Sequence, residues 1–71
     1  VVPVDLFGQC ADLDAIRAAC DPWGVPVMSD SAEGLGASLR GRAAGRGAWL
    51  AAYSFNGNKI ITAGGGGALA S

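Results

Sequence analysis

The sequence predicts an α/β fold built on a mostly parallel sheet. Three observations carry that reading. An apolar run opens the chain at Val1-Val2-Pro3-Val4, a helical pattern follows over residues 13–20, and a second apolar run, Val25-Pro26-Val27-Met28-Ser29, closes on Asp30. Strand, helix and strand in this order form a βαβ unit, whose crossover makes its strands parallel. In such sheets ligands sit beyond the carboxyl ends of the strands, which is where Asp30 falls.

Each element has a local reason. Val1 to Val4 reads as the end of a buried strand. Asp5-Leu6-Phe7-Gly8-Gln9 reads as a turn, because glycine takes positive φ without steric cost. Asp12 suits the N-cap of the helix, and Asp14 in its first turn complements the helix dipole. Leu13, Ile16 and Cys20 fall on one face. Asp21-Pro22-Trp23-Gly24 stops the helix, with Gly24 in a left-handed position. Residues 31–37 are small and glycine-rich. Residues 37–40 and the stretch after Gly41-Arg42 suggest a small hairpin. Trp49 to Phe55 reads as a further strand, Asn56-Gly57-Asn58 as a turn, and Ala68 to Ser71 as a strand cut short. The run Gly64 to Gly67 lets backbone approach a ligand or another chain closely.

Composition narrows the function. The chain has 71 residues, 51% of them hydrophobic. A domain this small is marginal without a disulfide, metal or partner. With no histidine and two cysteines, zinc would need ligands from elsewhere. The apolar opening and closing runs lead us to expect a piece of a longer protein. No signal peptide appears, and no apolar stretch approaches the roughly 20 residues of a spanning helix. A helix between Cys10 and Cys20, rising about 1.5 Å per residue, would hold them apart as reduced thiols. A cytoplasmic location follows from reduced cysteines. The first 36 residues hold all six acids and one base, net −5, and the remainder holds four bases. That basic half suits either an anionic ligand or a solvated arginine hairpin. No basic stripe interleaved with aromatics is present, so nucleic acid is not an expected partner.

Four residues could carry chemistry. Lys59 is the only lysine and stands in an otherwise uncharged stretch. A lysine amine held partly out of water can form a Schiff base; on charge alone, an exposed lysine after a turn is the plainer explanation. Asp30 ends an apolar strand, where a carboxylate is costly unless paired. A cyclic cation, a metal, an arginine or the N-cap of the next segment would satisfy it. Ser54 is an isolated hydroxyl at a strand end. It could meet a phosphate beside a turn rich in N–H groups or bond to local backbone. Glu33 lies three residues past Asp30 and would project to the same side if that segment were helical.

The combination is more specific than its parts. Pro3 to Gln9 with Asp12 to Ile16, then Val27-Met28-Ser29-Asp30-Ser31-Ala32-Glu33-Gly34-Leu35-Gly36-Ala37, then Gly41-Arg42 and Gly45, then Tyr53-Ser54-Phe55-Asn56-Gly57-Asn58-Lys59-Ile60-Ile61-Thr62 and Gly66-Gly67 resembles the DegT/DnrJ/EryC1/StrS aminotransferase family. The resemblance spans essentially the whole chain. It implies part of the large domain of a fold-type I transferase with pyridoxal 5'-phosphate (PLP) as cofactor, the full protein being a homodimer. By resemblance, Lys59 matches the lysine that carries the cofactor and later moves a proton between it and the substrate carbon. Asp30 matches the carboxylate that keeps the pyridine nitrogen protonated, so the ring can accept electrons. Ser54 matches a phosphate-binding hydroxyl, and Glu33 a position that contacts the ring near its 3′ oxygen, often filled by Gln or His.

The resemblance also implies a nucleotide-sugar substrate and an amino-acid donor, glutamate. Relatives that act as sugar 3-dehydratases carry His where this chain has Lys59, so the lysine points to transamination. The string Ser54 to Lys59 looks like members acting on UDP-4-keto-6-deoxy-N-acetylhexosamines. An aminocyclitol keto substrate and a non-catalytic binding domain on the same scaffold are the rival readings. Gly65 replaces a Glu common in relatives. The family's phosphate loop, ring-stacking aromatic and small domain do not occur in these 71 residues, so this stretch alone should neither bind PLP tightly nor turn over.

Overall fold

The computed structural model describes residues Val1–Ser71, with one α-helix, two short 3-10 turns and five strands. Helix α1 spans Leu13–Cys20, and the strands are β1 Met28–Asp30, β2 Ser38–Leu39, β3 Arg42–Ala43, β4 Leu50–Ser54 and β5 Gly67–Ala70. The main sheet has the order β1-β4-β5. β1 and β4 are parallel, with Asp30 opposite Ala52, and β5 runs antiparallel to β4 with Gly67 opposite Ser54.

The opening residues line up parallel to β1 without completing a strand. Val4 forms an isolated parallel bridge with Asp30. Met28 N–H donates to the Val1 carbonyl, Asp30 N–H to that of Pro3, and Asp5 N–H to that of Asp30, each at 2.9 Å. Val1, Val2 and Val4 are more than half exposed, which corrects the expectation of a buried strand here. An apolar run shows that a segment can be buried; only the neighbouring layers decide that it is.

α1 forms where its pattern places it. Ala15 N–H donates to the Asp12 carboxylate at 3.1 Å, the N-cap bond. Leu13, Ile16 and Cys20 are half-buried while the intervening positions are exposed. Asp21-Pro22-Trp23 makes a single 3-10 turn, and Gly24 closes it at φ 64. No helix is long and apolar enough to cross a membrane.

Hairpin β2–β3 lies against α1, and the residues that follow it, Ala44 and Gly45, pack on one face of the main sheet. Its arginines meet the acids of α1: Arg40 with Asp12 at 3.1 Å and Arg42 with Asp14. The charge asymmetry along the chain is therefore partly an internal pairing of its two halves. These pairs are exposed, so each adds little to stability. Arg40 holds the Asp12 carboxyl below the usual carboxylate range, helped by the Ala15 N–H.

Just past the hairpin the packing is close. A Cβ added at Gly45, whose φ is +78, would lie 2.7 Å from both Ala51 Cβ and Tyr53 Oη and 3.0 Å from Ser31 Oγ. Tyr53 donates its hydroxyl to the Ala44 carbonyl at 2.8 Å. Only Val27, Ala44 and Ala51 are buried apolar residues.

Two outcomes follow. Gly45→Ala should cost about 2–4 kcal/mol, combining left-handed strain with overpacking, as measured by denaturant unfolding of the natural polypeptide that carries this chain. The folded-state value of Asp12 is lowered, so its pairing contributes fully above the usual carboxylate range. That contribution should fade as pH falls through the lowered value. NMR of the Asp12 carboxyl and the hairpin amides would show both titrating together.

Candidate active site

Strand alternation divides the sheet into two faces. Ser29, Ala51 and Tyr53 turn toward the hairpin, as the contacts at Gly45 require. Asp30, Ala52 and Ser54 turn to the opposite face. Asp30 pairs with Ala52, so Ser54 lies two residues further along the neighbouring strand. With a rise of about 3.3 Å per residue and strands about 4.8 Å apart, the two Cα atoms are roughly 8 Å from each other.

A cavity of ≈ 370 Å³ opens at this carboxyl end, and Glu33, Ser54 and Lys59 share its wall with Phe7, Asn58 and Ile60. That volume lies within the range of small-molecule sites. Asp30 is not on the wall. It is half-buried, and its carboxylate accepts the Ala32 N–H at 3.1 Å. The carboxylate therefore bonds a turn and not the helix N-terminus considered from sequence, and it keeps further acceptor positions.

Lys59 follows a tight turn in which its own N–H donates to the Asn56 carbonyl at 3.0 Å. The Asn56 amide bonds Asn58 across the turn at 2.8 Å. The loop is closed at its base: Phe55 N–H donates to the Gly66 carbonyl and Ala63 N–H to the Phe55 carbonyl, both at 2.9 Å. The glycine run serves this closure. A Cβ at Gly67 would lie 2.5 Å from the Tyr53 carbonyl oxygen, so the close approach is to β4 itself. Lys59 is half-buried and makes no ion pair.

Ser54 accepts the Asn56 N–H at 3.3 Å, which leaves its hydroxyl proton free to donate elsewhere. Glu33 lies in a series of turns, Gly34 N–H bonding the Ser31 carbonyl and Ala37 N–H that of Gly34. The segment after Asp30 is thus not a helix. Glycines 34 and 36 favour turns over helix propagation. Glu33 reaches across to accept the Phe7 N–H.

The sequence reading missed a buried polar cluster. Asp5, Ser29 and Ser31 are at most 1% exposed. Ser31 donates to the Asp5 carboxylate at 2.6 Å, Ala11 N–H donates to it at 2.8 Å, and the Ser29 and Ser31 hydroxyls are 3.0 Å apart. The signal was available: Asp5 closes an apolar run just as Asp30 does. Nearby, burial and then the charge of Asp5 push the Cys10 thiol up, so Cys10 is not a poised thiolate. No cluster of His, Cys, Asp and Glu is placed to hold a metal.

The model of the DegT/DnrJ/EryC1/StrS aminotransferase family matches residues 1–71, and the chain belongs to that family. Over 71 residues it is 49% identical to the Bacillus subtilis protein named as pyridoxal phosphate-dependent aminotransferase EpsN, covering all of this chain and 18% of EpsN. It is 43% identical over 68 residues to the L-glutamine:2-deoxy-scyllo-inosose aminotransferase of Streptoalloteichus tenebrarius, covering 96% of this chain and 16% of that protein. Among solved structures, DesI in the presence of its TDP-sugar product superposes with a TM-score of 0.93 at 34% identity, over 100% of this chain and 18% of DesI. The chain thus spans less than a fifth of these relatives and has the fold of the corresponding part of a fold-type I PLP aminotransferase.

Asp5→Ala should leave the Ala11 N–H without an acceptor and the Ser31 hydroxyl with Ser29 alone. The expected loss is about 1–3 kcal/mol for each group left unpaired, read from urea unfolding, with Asp5→Asn losing less.

Proposed function

We propose that the protein carrying this chain is a PLP-dependent aminotransferase that moves an amino group from glutamate to a keto carbon of a nucleotide-linked sugar. One observation carries the reading: the only lysine is half-buried in the wall of a ligand-sized cavity that it shares with Glu33 and Ser54. A lone amine without a carboxylate partner is suited to covalent attachment.

The residues fit the cofactor's groups. Lys59 would anchor it and, when freed by substrate, carry a proton at Nζ. The free hydroxyl proton of Ser54 suits a phosphate oxygen. Asp30 lies on the face of the sheet that carries Ser54, and its remaining acceptor positions suit a protonated pyridine nitrogen. Glu33 spends one oxygen on Phe7 and keeps the other for the cofactor's ring. Bound PLP supplies an electron sink for charge developing on the substrate carbon.

The family and the DesI likeness support a sugar acceptor. A UDP-4-keto-6-deoxy-N-acetylhexosamine is the narrower proposal, resting on the string Ser54 to Lys59. The likeness to a scyllo-inosose aminotransferase supports a second reading, amination of a cyclitol ketone. Profiling keto-sugars against cyclitol ketones separates them. We place the protein in the cytoplasm as a homodimer, which sedimentation and fractionation would check.

In the natural polypeptide loaded with PLP, Lys59→Ala should abolish the visible absorbance of the lysine-linked cofactor and lower turnover roughly a thousandfold. Persistence of that band in the variant would move the anchor to another residue. Absence of any band in the wild type would favour a non-catalytic binding domain.

A further inference from the structure

The turn Leu6–Gly8 is held in an unusual way. Phe7 has φ 54 and ψ 27, and Gly8 has φ 79, so two successive residues are left-handed. Bulky side chains rarely take that conformation, and strained backbone persists only where its surroundings enforce it. Two carboxylates do so here, in opposite directions. Asp5, at the start of the turn, reaches to Ser31, and Glu33 reaches back from the far segment to the Phe7 N–H. The backbone adds Gly8 N–H to the Asp5 carbonyl at 3.2 Å and Gln9 N–H to that of Leu6 at 3.0 Å.

What this clamp presents is the ring of Phe7. It is 88% exposed and forms part of the wall of the cavity that Lys59, Ser54 and Glu33 share. A glycine at this position would relieve the backbone, so Phe7 holds its conformation against local preference. The ring packs on little within the chain, and its removal would leave no internal void.

We propose that Phe7 is a specificity-determining contact for the amino acceptor, and that Glu33 is the positioning residue that holds it in place. The inference rests on the aminotransferase reading. The ligand chemistry is the C–H face of a saturated six-membered ring, the feature that keto-sugars and cyclitol ketones share. Such a face packs on an exposed aromatic ring by burying apolar surface. The small carbon chain of glutamate offers no such face, so donor and acceptor should respond differently.

The test uses the natural polypeptide loaded with PLP, a keto-sugar nucleotide or cyclitol ketone that it aminates, and amide hydrogen exchange. Phe7→Ala should raise the acceptor KM about tenfold while the glutamate KM and the visible cofactor band stay as in the wild type. Glu33→Ala should speed exchange at the Phe7 amide about tenfold by removing its acceptor and raise the acceptor KM in parallel. Glu33→Gln, which retains an acceptor oxygen, should restore slow exchange. Equal changes in both KM values, or none, in Phe7→Ala would overturn the specificity role, as would a changed oligomeric state. Wild-type exchange in Glu33→Ala would overturn the positioning role. A wild type without any cofactor band would instead sink the underlying aminotransferase reading, while the exchange measurement would still decide the clamp.

Discussion

The buried hydrogen bond between Asp5 and Ser31 is the contact on which the local architecture turns. Asp5 lies just past the edge segment, and Ser31 just past β1. Their bond, with Ser29 beneath and the Ala11 N–H alongside, ties together the exits of two neighbouring strand segments. A carboxylate enclosed this fully would be expensive alone. Here each contact to it is a directed hydrogen bond, and no buried side-chain polar atom lacks a partner. The small size of Ser31 and Gly34 makes the approach possible, since a Cβ at Gly34 would lie 2.9 Å from the Asp5 carboxylate.

That cluster sits on the hairpin face, and the cavity sits at the strand ends on the other. The division of labour follows from the two-residue period of strands. Ser29 and Ser31 turn inward to structural bonds, while Asp30 between them turns to the opposite face. Consecutive polar residues therefore have different jobs because their side chains leave opposite faces. β4 repeats the division, with Ala51 and Tyr53 packed beneath Ala44 and Gly45 and Ser54 facing the cavity.

The helix, its cap, the hairpin and the β4 turn were legible because each depends on neighbours in sequence. Asp12, Gly24 and the Asn56-Gly57-Asn58 bend act through bonds to residues a few positions away. Other features were not legible for the opposite reason. The exposure of Val1, Val2 and Val4 depends on what lies against the edge. The turn after Asp30, where a helix would have aligned Glu33, is settled by contacts to Phe7 and Ala44. The left-handed Phe7 had no local signal, because its conformation is enforced from residue 33.

The sequence alone determined the residue types that can do the chemistry, their order, and a family likeness specific enough to suggest a cofactor. It also determined the strand and helix periodicities. Only the tertiary structure decided which of those residues meet: it put Glu33, Ser54 and Lys59 on one cavity wall, left Asp30 off that wall, and enclosed Asp5. The physical reason is that parallel register and strand face assignment come from pairing between distant segments. A one-residue slip of β1 against β4 would send Asp30 to the hairpin face without changing a single amino acid.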